Sequence, residues 1–273
     1  MRARRRFAQH FLEPAWVTKV VAAVGGTPDD AVVEIGPGRG ALTRPIAAAV
    51  GRALAIEIDR DLAADLDSTR PDNLTVVVGD VLSIDLARVL SDWLGSPLGA
   101  ENQVRVVGNL PYNISSPILF QLLDLAAATN GVSDATLMLQ KEVADRLMGR
   151  VGTGDYGVLT ILTAVHADVT RLLSLPPGAF RPMPAVHSSI VGLKFRPSTV
   201  PIPNHAAFVR MVRSMFTQRR KTLLNALKPY ASETGASASS ALERAGIDPQ
   251  RRPETLTMEE MGVLARSFDT PGS

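Results

Sequence analysis

Between residues 14 and 150, short runs of branched aliphatic residues alternate with stretches in which apolar positions recur every three or four residues. The first pattern suits buried strands and the second amphipathic helices, so the alternation predicts repeated βαβ units around a parallel sheet. Strands are expected at 31–35, 53–58, 74–79, 104–108 and 135–140, with helices at 15–24, 41–49, 60–69, 116–127 and 141–148. A loop, "GTGDYG", follows at 152–157. Two further strands are expected at about 158–169 and 186–195, flanking the stiff stretch "LPPGAFRPMP" and forming an antiparallel pair that closes one side of the sheet.

Three prolines in "FRPSTVPIPN" (195–204) then interrupt the pattern, as at a domain boundary. We therefore expect an α/β domain over 1–197 and a small all-α domain over 198–273. Within the second, 206–227 carries apolar residues at helical spacing with arginines between them. A polar link, a short helix and a last helix at 257–268 follow, the last with Thr257 and Glu260 in capping-box spacing. There is no internal repeat.

A chain of 273 residues that is 45% hydrophobic can bury a large core. No apolar run reaches the length of a spanning helix, and "MRARRRFAQHF" lacks the apolar stretch of a secretory signal, so a cytoplasmic protein is expected. The absence of Cys excludes disulfides and thiolate metal sites, and the four His are scattered, so no metal is expected. Net charge is only +2, yet Arg2, Arg4, Arg5 and Arg6 open the chain and residues 196–273 hold 11 basic against 7 acidic side chains. Two basic clusters suit a polyanion, although a charge run is more often a solvated face.

Chemistry first enters at "VVEIGPGRGALT" (32–43), where Gly36, Gly38 and Gly40 lie between a strand and a helix. Glycines there let a ligand approach bare backbone at the carboxyl end of a strand. Glu57 ends the next strand, 21 residues after Gly36, at the spacing from which an acid meets ribose hydroxyls. Asp80 ends the third strand, where it can accept from an adenine amino group or merely cap the helix that follows. An adenosine-containing ligand is implied, and both nicotinamide and S-adenosylmethionine chemistry remain open.

Asn109 ends the fourth strand and opens "NLPY". With S-adenosylmethionine as donor and adenine N6 as acceptor, the Asn109 side-chain oxygen and the Leu110 carbonyl can take the two amino hydrogens. That favours a pyramidal nitrogen whose lone pair faces the methyl. Pro111 would fix the turn, and Tyr112 would stack on the base for about 1–3 kcal/mol. The bland alternative is an ordinary Asn-Pro turn with a tyrosine packed beneath it.

"NLPYNISSP", "VVEIGPGRGALT" and "FRPMPAVHSSIVGL", joined by "RRFAQHFL", "SMFTQRRKTLLNAL" and "RPETLTMEEMGVLA", resemble the small-subunit ribosomal RNA adenine N6,N6-dimethyltransferases of the KsgA type over nearly the whole chain. The resemblance implies a Rossmann-like class I S-adenosylmethionine-dependent methyltransferase sheet with a helical C-terminal domain. It implies that Gln9, His10 and Leu12 close over the cofactor, and that Gly36 and Gly38 line its methionine side. Glu57 would hold the ribose, Asp80 the adenine, and Asn109 would stand between cofactor and target. Tyr112 and Phe180 would sandwich the flipped base. Phosphate contacts are expected from Arg4, Arg5, Arg219, Arg220 and Lys221. The implied substrate is a pair of adjacent adenines in the 3′-terminal hairpin loop of 16S rRNA within the 30S particle, modified by a monomer. Rival expectations are a methyltransferase of large-subunit RNA, a nicotinamide oxidoreductase, and an assembly checkpoint for which methylation is secondary.

Overall fold

The structure is a computed structural model describing residues 11–269. The expectations at Arg4, Arg5, Gln9 and His10 lie outside the described residues. Two compact units are present: one holds the chain to Ala144 together with Ala167–Arg196, the other Asp145–His166 together with the chain from Pro197.

The first unit opens with β1 (Phe11–Leu12) and α1 (Pro14–Val24). Pro14 suits the first turn of α1, whose amide would be unbonded in any case, and Gly25 ends it in the left-handed conformation. There follow β2 (Ala31–Ile35), α2 (Thr43–Ala47), β3 (Arg52–Glu57), α3 (Arg60–Ser68), β4 (Leu74–Val78), α4 (Leu86–Leu94), β5 (Val104–Asn109), α5 (Ser115–Thr129) and β6 (Val132–Gln140), after which comes α6 (Lys141–Leu147). The five strands expected between residues 31 and 140 are present, that at 31–35 with its expected ends and the other four with shifted ones. Helix α4 is an addition: Asp85 accepts from the Arg88 amide at its start, Gly95 ends it, and Leu86 and Leu90 are buried.

Seven strands pair in the order β4-β3-β2-β5-β6-β9-β7, where β7 is Ala167–Leu175 and β9 is Ser188–Phe195. The first five are parallel, and β9 joins β6 and β7 antiparallel. Strand order reverses between β2 and β5, so a crevice opens outside their carboxyl ends, the usual ligand position in such sheets. A separate two-residue ladder pairs β1 with β8 (Phe180–Arg181), opposing Phe11 to Arg181 and Leu12 to Phe180.

At the opposite end of the sheet, Arg105 gathers β5, β6 and α1. Its Nε lies 2.9 Å from Asp134, its Nη1 2.9 Å from Asp30, and its Nη2 donates to the Val24 carbonyl at 2.7 Å. Burial alone would raise the Asp30 pKa, but the Thr27 amide and Arg105 hold it below its ordinary value. Arg105→Ala leaves two partly buried carboxylates uncompensated, and urea unfolding at pH 7 is expected to show a loss of about 2 kcal/mol. Because a depressed carboxylate contributes stability above its unfolded pKa and loses it in acid, the gap to wild type should narrow toward about pH 2.

The expected strand at 158–169 is corrected. Residues 158–166 form a helix, α7 (Val158–His166), and β7 starts only at Ala167. Its run "VLTILTAVH" is apolar but for two threonines and a final histidine and shows no clear polar stripe, so periodicity could not separate strand from helix. Burial of Thr160, Ile161, Leu162, Thr163 and Val165 stabilises the helix despite its branched residues. The expected antiparallel pair is present as β7 and β9. The expectation of two sequence-continuous domains also changes, because α7 belongs to the second unit, where it packs against α8 (His205–Thr217) and α11 (Met258–Asp269). Tyr156, just before α7, donates to the Leu256 carbonyl at 2.8 Å in the same unit.

The single helix expected at 206–227 is two, α8 and α9 (Leu223–Thr234). Asn204 caps α8 by accepting from the Ala207 amide at 2.9 Å. Between the helices "QRRK" breaks the apolar stripe, and Arg219 holds the turn by donating to the Thr153 and Gly154 carbonyls at 2.7 and 2.6 Å. Helix α10 (Ala238–Ala245) precedes α11, where the capping box forms: the Thr257 amide donates to Glu260 at 2.8 Å, and the Glu260 amide to Thr257 Oγ1 at 3.2 Å. Among the described residues no helix is long and apolar enough to cross a membrane, and no cluster of three potential metal ligands occurs.

Candidate active site

The carboxyl ends of β2, β3, β4 and β5 surround one cavity in the first unit. Its walls include Phe11, Leu12, Glu34, Gly36, Gly38, Arg39, Glu57, Ile58, Asp80 and the whole of "NLPYN" from Asn109 to Asn113. Every expected cofactor residue among those described therefore reaches the same space, as do Asn109, Leu110, Pro111 and Tyr112.

The glycine loop is shaped by three left-handed positions, with φ of 70° at Gly36, 57° at Gly38 and 76° at Gly40. A Cβ at Gly40 would stand 2.7 Å from Leu66 Cδ1, so this position excludes side chains by space as well as by conformation. Glu57, nearly fully buried, holds the loop to β3: its Oε2 accepts from the Gly38 amide and its Oε1 from the Asp59 amide, both at 2.9 Å. A carboxylate has room for about four hydrogen bonds, so Glu57 retains acceptor capacity for a diol. Asp80 accepts from the Leu82 amide at 3.0 Å and from Ser83 Oγ at 3.3 Å, which fixes its turn while it still lines the cavity. The expected helix cap is not what Asp80 provides, because α4 starts only at Leu86 and is capped by Asp85.

The turn after β5 depends on Gly108. A Cβ there would lie 2.7 Å from Leu110 Cδ2 and 3.2 Å from the Ile35 carbonyl, so glycine leaves Leu110 the room to fold back and bury its side chain. The Ile114 amide closes the turn on the Pro111 carbonyl at 3.1 Å. Tyr112 is oriented by a 2.7 Å hydrogen bond between its hydroxyl and Ser188 Oγ at the start of β9.

Phe180 requires a correction. It is 1% exposed, sits in the core beside Leu12, Leu175, Ala179 and Ile190, and does not line the cavity. Pairing of β8 with β1 directs this ring into the apolar interior, where it anchors the strand instead of offering a face to a base. Arg219 is likewise committed to carbonyls and to Glu254, 3.8 Å away, whereas Arg220 and Lys221 are exposed.

Glu34 was not singled out from the sequence, since it looks like one polar residue in a buried strand. Its Oε2 is buried and makes no hydrogen bond within the described protein. Burial pushes its pKa up to about 7, opposed by the Thr43 hydroxyl and assisted by the charge on Glu57. Phe11, with the Arg39 guanidinium 4.7 Å from its ring centre, also went unnoticed, because a cation–π pair between residues 28 apart leaves no local signature.

These features fit a cationic adenosine ligand better than a dinucleotide. Three carboxylates (Glu34, Glu57, Asp80) face one guanidinium (Arg39) around the cavity, a poor setting for a pyrophosphate. Helix α2 starts only at Thr43 and spans five residues, so no long helix presents its amino end to the loop.

A sequence model described as ribosomal RNA adenine dimethylase matches residues 1–269. The chain belongs to this family. A ribosomal RNA small subunit methyltransferase A from Aromatoleum aromaticum is 44% identical over 268 residues, covering 95% of this chain and 91% of the relative. The protein of the same name from Acinetobacter baylyi is 41% identical, with 97% and 92% covered. Among solved structures, a dimethyladenosine transferase from Plasmodium falciparum shares the fold with a TM-score of 0.75 at 24% identity, over 95% of this chain and 98% of that one. The 23S rRNA methyltransferase ErmE superposes with a TM-score of 0.61 at 26% identity, over 95% and 100%. The protein is thus a methyltransferase with the Rossmann-like fold of this family, and the cavity described above is where its sheet presents polar groups together.

Proposed function

We propose that this enzyme uses S-adenosylmethionine to dimethylate N6 of two adjacent adenines in the 3′-terminal hairpin loop of 16S rRNA, within the 30S particle and as part of small-subunit assembly. The observation that carries the reading is the "NLPY" turn opening into the same cavity as Glu57, Asp80 and the glycine loop. Cofactor rim and amine-orienting turn share one space.

When bound, S-adenosylmethionine supplies an electrophilic methyl on sulfur, whose C–S bond breaks as the N–C bond forms. Glu57 would hold the ribose hydroxyls and Asp80 the adenine amino group, with Gly36 and Gly38 giving backbone access and Leu12 covering. On the target side, Asn109 and the Leu110 carbonyl accept the amino hydrogens, while Tyr112 offers a flat surface to the base. Buried Leu110 and Ile118 exclude water from the turn. The nitrogen loses its surplus proton to solvent after transfer, and neutral oxygen acceptors suffice because they orient the lone pair without having to remove that proton first. Arg220 and Lys221 of the helical unit are proposed phosphate contacts, together with Arg4 and Arg5. We propose that the enzyme acts as a monomer in the cytoplasm.

Glu34 gives this reading a pH signature. Its raised pKa means that the group is largely neutral below about 7 and ionised above it. A cationic ligand favours the ionised form, so cofactor affinity should rise roughly tenfold between about pH 6 and pH 8. Calorimetric titration of Glu34→Gln should show a flat profile.

The test of the function is methyl transfer from labelled S-adenosylmethionine to unmodified 30S particles and to free large-subunit RNA in parallel. Transfer to the particles alone is expected. Transfer to large-subunit RNA alone would move this enzyme to the activity named for ErmE.

A further inference from the structure

With Phe180 in the core, the loop after it presents an unexplained apolar surface. Met183 is 63% exposed and Val186 43%, while Pro184 between them is buried and anchors the loop. Isolated surface hydrophobics are ordinary. These two share one short loop, and both of its stems join residues of the cavity. On the entering side Arg181 opposes Phe11, a wall of the cavity, in the β1–β8 ladder. On the leaving side Ser188 bonds the hydroxyl of Tyr112, the proposed stacking ring. The Lys141 amide donates to the His187 carbonyl at 2.9 Å, so the loop is also fastened to the end of β6. Arg181 and Lys141, both exposed, flank it with positive charge, and Arg181 is kept in place by Glu13 at 3.2 Å.

We propose that Met183 and Val186 form a wedge that enters the RNA stack beside the target adenine and fills the space the base leaves when it turns into the cavity. This inference rests on the proposed function. Extruding a stacked base costs a few kcal/mol, and proteins that hold bases apart commonly insert apolar side chains, methionine among them, between base steps. A loop held by a buried proline and two backbone anchors loses little entropy when it docks. Flanking Arg181 and Lys141 meet the phosphates on either side of the gap. The wedge offers no hydrogen bond and does not touch the reacting amine, so its role is positioning.

The experiment uses the full chain, the Met183→Ser/Val186→Ser double variant, and synthetic hairpin RNA with two adjacent loop adenines. In one RNA both neighbours of the target pair are nucleosides, and in a second they are abasic. On the intact hairpin kcat/KM should fall roughly ten- to hundredfold, on the abasic one by less than about threefold, because the wedge has no stack to open. Calorimetric affinity for S-adenosylmethionine should be unchanged, and Met183→Leu with Val186→Ile should restore activity. In a binding-only arm, 2-aminopurine replacing one target adenine should brighten with wild type and stay dim with the double variant. Unchanged kcat/KM on the intact hairpin, equal losses on both RNAs, or equal brightening would overturn the wedge. Wild type that methylates neither RNA nor 30S particles would instead overturn the functional reading, and the fluorescence arm would still judge the wedge.

Discussion

Asn109→Ala is expected to reduce kcat for methyl transfer by at least about a hundredfold while leaving the affinity for S-adenosylmethionine within about threefold of wild type. Asn109 ends β5, where the strand is fixed by pairing with both β2 and β6, so the side chain is presented by rigid backbone. Its amide oxygen is one of two acceptors assigned to the target amine, and the other, the Leu110 carbonyl, survives the substitution. A nitrogen held by one acceptor keeps its lone pair spread into the ring, and reactivity is lost in the transition state more than in binding. KM for RNA should therefore change little. Stopped-assay kinetics alongside calorimetric cofactor titration separate the two effects; parallel losses in kcat and in cofactor affinity would assign Asn109 to cofactor binding instead.

Removing Glu57 should do the reverse. Glu57→Ala deprives the Gly38 and Asp59 amides of their acceptor, in a site where the carboxylate is only 3% exposed. Leaving a buried donor unpaired costs about 1–3 kcal/mol, and here two are stranded along with the proposed contact to the ribose. Cofactor affinity should fall by at least about a hundredfold, and the melting temperature by several degrees in the absence of ligand. Asp80→Ala should weaken affinity less, because the amide and hydroxyl that Asp80 satisfies belong to the part-exposed turn after β4. Calorimetry and a thermal melt on the two variants test that order.

Much of the sheet was legible because its central strands are short, branched and largely buried, and because several of the helices between them carry punctuation. Pro14, Gly25 and Asp59 mark ends that the structure realises, whereas α4 was missed although Asp85 and Gly95 bound it in the same way. Legibility failed where burial is uniform or where a distant contact decides. The run at 158–166 is hidden on nearly all sides, so a helix there has no polar stripe to reveal its period. The break after Thr217 depends on Arg219 reaching carbonyls 65 and 66 residues away.

At the site, residues at strand ends were readable from position alone: Gly36, Glu57, Asp80 and Asn109 all reach one cavity because parallel strands end on one side. Phe180 was misread for a tertiary reason. Around it in the sequence stand prolines, small residues and Arg181, and nothing local reveals that β8 pairs with β1 and turns the ring inward. Glu34 escaped notice because an acid inside a buried strand becomes informative only once its oxygen is seen to lack a partner.

The most direct measurement of the central claim is mass-spectrometric mapping of 16S rRNA after unmodified 30S particles have been incubated with the enzyme and S-adenosylmethionine. Two adjacent N6,N6-dimethyladenosines in the 3′-terminal hairpin loop, absent when Asn109→Ala replaces wild type, is the predicted result. Methyl groups on a ring nitrogen, on ribose, or on a base outside that loop would contradict the assignment of the turn to an exocyclic amine.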